Sequence, residues 1–159
     1  PGGELVLLEQ QDRSKWDAAL IQEGLDHLRI AAAAGAPGVF QIQAHIASTH
    51  ATAATWEATD WKRIGHLYQA LEIASPSPVF TLNRSVAVAM SEGPAAGLAL
   101  LDALVRENDA LKGYYLLPAT RADLLRRLAL FPAAIVEYRR AIELTGNAQE
   151  RKYLEKRLA

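Results

Sequence analysis

A chain of 159 residues, half of them hydrophobic and none of them cysteine, suits one compact domain whose core needs neither disulfides nor thiolate-bound metal. No apolar run approaches the ~18 residues of a membrane span. A net charge of −1 argues against a dedicated nucleic-acid binder.

The chain opens Pro1-Gly2-Gly3-Glu4, with no cationic start, no signal peptide and no initiator Met. That opening predicts the interior of a longer gene product, and zero cysteines fits a reducing cytoplasm. Charge is uneven along the chain. Residues 1–111 carry 7 basic and 13 acidic side chains, a balance of −6, whereas residues 112–159 carry 10 and 5, a balance of +5. Such asymmetry marks either a docking surface or solvated helix faces.

Alanine (30 residues) and leucine (23) dominate, and both favour helix. The apolar segment Leu5-Val6-Leu7-Leu8 would leave its backbone unpaired as a lone strand, so it reads as an extended or one-turn docking arm. Residues 1–13 are read as this arm or linker, and residues 14–159 as the helical domain. Ser14 is the expected cap of a first helix, with Trp16, Leu20, Ile21, Leu25 and Leu28 in one stripe and Gly35 at its end. Pro37 suits the first turn of a second helix with Val39, Ile42, Ile46 and Ala53 inward.

Asp60 can cap a third helix carrying Trp61, Ile64, Tyr68 and Leu71. Ser75-Pro76-Ser77-Pro78 breaks it, because the residue before a proline avoids the helical region. A fourth helix holds Val79, Leu82, Val86 and Ala89 and stops at Gly93-Pro94. The fifth holds Leu100, Leu101 and Leu104, and a polar stretch from Glu107 to Gly113 follows it. Helix six holds Leu117, Leu124 and Leu128, and helix seven holds Ile135, Tyr138 and Ile142. Asn147 and Glu150 form a capping signature for the last helix, with Tyr153, Leu154 and Leu158.

The expectation is therefore an all-α fold of about eight helices in stacked antiparallel hairpins. A tetratricopeptide (TPR) repeat of about 34 residues is the natural comparison. Trp61, Ile64, Gly65 and Tyr68 reproduce the spacing of its first helix; Ala134, Tyr138, Ala141, Ile142 and Leu144 reproduce its second. Pro118 stands where an aromatic is expected, and Ala129 where the turn glycine is expected.

Catalytic constellations fail one by one. His45 and His50 are five apart, roughly 140° around a helix, so they share no face for a metal. His27 and His66 complete the histidines. Gly35-Ala36-Pro37-Gly38 reads as a helix-to-helix turn rather than a phosphate loop. Ser85 has no nucleophile elbow around it, and Asp102 and Glu107 sit among polar residues. Neither enzyme activity, metal nor cofactor is expected.

Three features could carry recognition. Asp12-Arg13-Ser14-Lys15-Trp16 places charge beside an aromatic, or is simply a cap plus a core tryptophan. Leu82-Asn83-Arg84 interrupts an aliphatic helix with polar groups that need partners, in the stack or in a ligand. The last helix sets Arg151, Lys152, Lys156 and Arg157 around Tyr153, but Glu150 and Glu155 interleave, which suits a solvated capping helix.

Four segments together resemble the C-terminal extension of one group of bacterial extracytoplasmic-function sigma factors with TPR-like extensions. They are LVLLEQQDRSKWD (residues 5–17), PSPVFTLNRSVAVAMSEGPAAGLALLDAL (76–104), YLLPATRADLLRRL (115–128) and residues 138–158. Gln10, Ser85, Leu116 and Ala129 depart from the pattern. The resemblance implies promoter-binding sigma regions two and four upstream of Pro1, with promoter DNA contacted only through them. The module would act on those regions or on RNA polymerase, in the cytoplasm and away from membranes. In this reading Leu7, Leu8, Asp12, Arg13 and Trp16 lie at the junction with the sigma core, and Asn83 and Arg84 line the helical groove. Two rivals stand beside it: a free-standing TPR-like adaptor for extended peptides, and a small-ligand sensor using Gln43, His50, Asn83 and Arg121.

Overall fold

The computed structural model describes residues 6–35 and 37–158; Leu5, at the start of the expected arm, and Ala36 lie outside them. Among the described residues there are eight α-helices and no strand. They are α1 (Ala18–Ala33), α2 (Val39–Thr52), α3 (Trp61–Ala74), α4 (Pro78–Ser91), α5 (Pro94–Glu107), α6 (Leu116–Arg127), α7 (Phe131–Leu144) and α8 (Ala148–Leu158). Each helix packs mainly on its chain neighbours, and α4 also touches α6. That is the behaviour of a stack of helical hairpins, in which every unit buries its apolar face against the next.

Polar side chains cap α1, α3 and α8. Asp60 accepts from the Arg63 N–H at 2.9 Å, as its position predicts. Asn147 accepts from Gln149 N (2.8 Å) and Glu150 N (3.3 Å). Pro78 and Pro94 occupy first-turn positions, where a missing N–H costs nothing. Gly93, at φ 103°, makes the turn between α4 and α5 in a region closed to most side chains.

The first cap departs from expectation. Asp17, not Ser14, caps α1, accepting from Ala19 N (2.9 Å) and Leu20 N (3.0 Å). Ser14 lies inside a short 3-10 turn, Arg13–Lys15, which Asp12 caps instead. Trp16 ends that turn ahead of the helix, and Leu20 is exposed, so the stripe expected to run from Trp16 through Leu20 is not a buried one. Pro37 and Ala53 likewise fall outside α2: Gly38 is the N-cap and Ala53 the C-cap.

Three clusters form the core. Ile42 and Ile46 of α2 meet Trp61, Ile64 and Leu71 of α3 and Ala87 of α4. Leu82 and Ala89 of α4 meet Leu101, Leu117 and Leu124 of α5 and α6, and Leu111 joins them. Leu111 belongs to the stretch read as a polar spacer, so that connection anchors the centre of the stack. Ala122, Leu125, Ala134, Tyr138, Ala141 and Leu154 close the C-terminal end. Here Tyr138 is buried and Ile142 packs against it, as their stripe predicts, and Ala134 and Ala141 face inward as their repeat spacing suggests; Ile135, 37% exposed, is the member that departs. α1 contributes no buried residue.

Ala129 takes the left-handed conformation at φ 59°, two residues past α6. Its neighbour Leu130 donates to the Leu125 carbonyl at 2.9 Å, the wrapped helix end usually made by glycine. A Cβ in this region costs roughly 1 kcal/mol, offset in part by the greater chain freedom of glycine. Ala129→Gly is therefore expected to raise stability by about 0.5–1 kcal/mol, read as a higher urea midpoint at unchanged slope.

Candidate interaction site

The candidate residues separate into a clasp at the N-terminal arm and two polar pins inside the stack. The arm begins with a 3-10 turn, Leu8–Gln10, and continues into the Arg13–Lys15 turn. Leu7 is half-buried and Leu8 is exposed at its surface. Neither turn buries a residue. Arg13 instead reaches across to the end of α2. Its Nη1 donates to the carbonyls of His50 (2.8 Å) and Ala53 (2.7 Å), and its Nη2 donates to Thr59 Oγ1 (3.3 Å). Carbonyls at a helix C-terminus lack intrahelical donors and carry the negative end of the helix dipole, so a cation suits them.

Aromatic rings frame this contact. The Arg13 guanidinium lies 5.0 Å from the Trp16 ring centre, within cation–π range. Behind it His50, Trp56 and Trp61 pack together, with Trp56 and Trp61 edge to face at 4.4 Å. Burial, and then the Arg13 charge, hold the His50 imidazole below its ordinary pKa and favour the neutral ring. His50 thus belongs to the wall of the clasp.

At the other end of the arm, Glu9 pairs with Arg157 of α8 at 3.6 Å. The arm therefore touches both the first and the last parts of the stack. Asp12 stays exposed; hydrogen bonds from Ser14, then Lys15, lower its pKa.

Asn83 and Arg84 point to α3. Asn83 stands beside the Tyr68 hydroxyl, whose pKa burial raises. Arg84 Nε donates to Glu72 Oε1 at 3.0 Å, with both side chains largely covered. Arg121 of α6 joins two carboxylates from different helices, Asp102 of α5 and Glu137 of α7, the latter at 3.0 Å. Glu72, Glu137, Thr59 and the carbonyls of His50 and Ala53 went unremarked in the sequence. Their significance comes from partners 12 to 46 positions away, and no spacing rule reaches that far.

An open groove of about 590 Å³ runs between α1, α2 and the start of α3. Leu25 and Leu28 line one side, and Arg29, His45 and Arg63 supply polar groups. Gln43 is exposed on α2 and does not line this groove. Among the described residues no three His, Asp or Glu side chains are placed to hold a metal ion. No helix there is long and apolar enough to cross a membrane.

The chain is similar to an uncharacterized protein of Rhizobium meliloti (strain 1021), 45% identical over 156 residues. The match covers 98% of this chain and 36% of the relative, so the chain spans about a third of that protein's length. No protein-family model matches the chain, and no solved structure matches it.

Proposed function

We propose that the chain is the C-terminal regulatory interaction module of an extracytoplasmic-function sigma factor, modulating transcription initiation through contacts with the sigma core or RNA polymerase. The observation that carries this reading is the clasped arm. The segment whose sequence resembles the sigma-factor junction, Asp12 to Trp16, is held by Arg13 against the end of α2. A polypeptide entering through that arm would be set at a fixed position on the stack. The relative's greater length leaves room for such regions. A stack of short helices presents long surfaces for another protein.

The small-ligand reading loses ground on the same contacts. Of its residues, Arg121 is already held by Asp102 and Glu137 within the stack, so a ligand would have to displace them.

The test is a promoter assay with the full-length parent carrying Arg13→Ala or Asp12→Asn. A hydrogen bond to a charged group contributes about 1.5–3 kcal/mol, so losing the Arg13 clasp should change promoter output by about tenfold. Asp12→Asn should change it less, since Asp12 only shapes an exposed turn. Output falls if the module supports the sigma core and rises if it restrains it. Unchanged output in both variants would remove the junction from the mechanism.

A further inference from the structure

The clasp has the chemistry of a ligand site. All three groups that receive Arg13 act as acceptors: the His50 and Ala53 carbonyls and the Thr59 hydroxyl oxygen. The Thr59 hydroxyl proton is already committed to the Thr55 carbonyl at 3.2 Å, which turns its oxygen lone pairs toward the arm. Thr59 is buried, and its position is fixed by the turn that leads to Asp60 and α3. The acceptors are therefore preset, and they sit where the α2 dipole favours positive charge. A planar guanidinium offers several donors in a rigid fork and can reach all three at once; an ammonium is a point charge without that geometry.

Among the described residues, the rest of the arm adds little to this hold. Neither arm turn buries a residue. A second charged anchor of the arm, Glu9 to Arg157, is a 3.6 Å pair between partly exposed groups, a kind that contributes little. Beside the clasp lies the open groove, which shares Ala53 with it and leaves a path for a second chain.

We propose that the C-terminal end of α2, together with Thr59, is a guanidinium-selective binding site whose intramolecular ligand is Arg13. The partner class that would displace the arm is an arginine-bearing extended peptide. The inference concerns this chain alone and holds whether or not sigma regions precede it.

Thermal melts of the 159-residue chain test the site directly. Arg13→Lys keeps the charge and most of the length, yet should lose nearly as much melting temperature as Arg13→Ala. Millimolar n-propylguanidinium should then raise the melting temperature of Arg13→Ala, while n-butylammonium at equal ionic strength should not. The wild-type chain should gain from neither. A labelled peptide of residues 7–16 should bind the Arg13→Ala chain at least about tenfold more tightly than the same peptide carrying lysine at the arginine position. Wild-type stability in Arg13→Lys, equal rescue by both cations, no rescue by either, or equal binding of the two peptides would each overturn the assignment.

Discussion

Gly97→Ala is expected to destabilise the protein by about 2–3 kcal/mol, although the same exchange in a helix interior ordinarily stabilises by up to about 1 kcal/mol. The sign turns on how closely α5 crosses α4. A Cβ at Gly97 would lie 2.5 Å from the Ser85 carbonyl oxygen and 2.6 Å from the Ala89 Cβ. Neither neighbour is a flexible side-chain end that can swing aside. Ser85 is itself fully buried, its hydroxyl donating to the Leu82 carbonyl at 2.6 Å. Relief would therefore require the two helices to separate, loosening the buried Leu82 and Leu101 around them. Gly24 supplies the control. It lies inside α1, and a Cβ there meets nothing within 4 Å. Gly24→Ala should raise stability by about 0.5–1 kcal/mol. Urea titrations of the two variants should move the midpoint in opposite directions; a shared direction would mean that the crossing distance does not govern Gly97.

This crossing also marks what could and could not be read in advance. Period-3.6 stripes of large residues revealed the helices with wide apolar faces. Ile42 and Ile46, and Trp61, Ile64 and Leu71, are buried where their spacing places them. Stripes of large residues were less exact where small residues share the packing: Tyr138 and Ile142 lie inward as expected, but Ile135 does not. In α7 the face turned inward is Ala134, Tyr138 and Ala141, because close helix approach selects alanine and leaves the bulkier Ile135 and Val136 toward solvent. Gly97 is silent in the sequence for the same reason: a glycine in an alanine-rich helix carries no hydrophobic signal. The first cap was ambiguous because Asp12, Ser14 and Asp17 are all good caps within six positions, and only the observed turn at Arg13–Lys15 separates them. Leu111 was hidden by charged and polar neighbours, yet one leucine is enough to anchor a loop. The candidate site divides the same way. Asn83 and Arg84 were visible as polar groups in an aliphatic helix that had to find partners, and Arg121 only as a polar position within the stack. Which partners they find depends on helix pairing, and that is set by the whole stack.

Arg121→Met is expected to lower stability by about 2–3 kcal/mol, below the 3–5 kcal/mol for breaking a fully buried ion pair because Asp102 is partly solvated. Arg121 of α6 holds carboxylates of two other helices at once, Asp102 of α5 and Glu137 of α7. Removing its charge leaves the two carboxylates unequal. Asp102, 42% exposed, can turn to water. Glu137, 17% exposed, cannot: one of its oxygens loses the Arg121 bond, and the other already has no hydrogen-bond partner. Most of the loss is thus the cost of a stranded carboxylate rather than the worth of the pair. It follows that Asp102→Asn should cost under about 1 kcal/mol, as for surface pairs. The double exchange Arg121→Met with Glu137→Leu should recover most of the stability lost in the single variant. A double-mutant cycle in urea measures each step. The same cycle bears on function, since an arginine kept for a ligand would contribute little to folding in the ligand-free protein. If Arg121→Met left the urea midpoint unchanged, the arginine would be free for a binding role, and the small-ligand reading would regain its strongest residue.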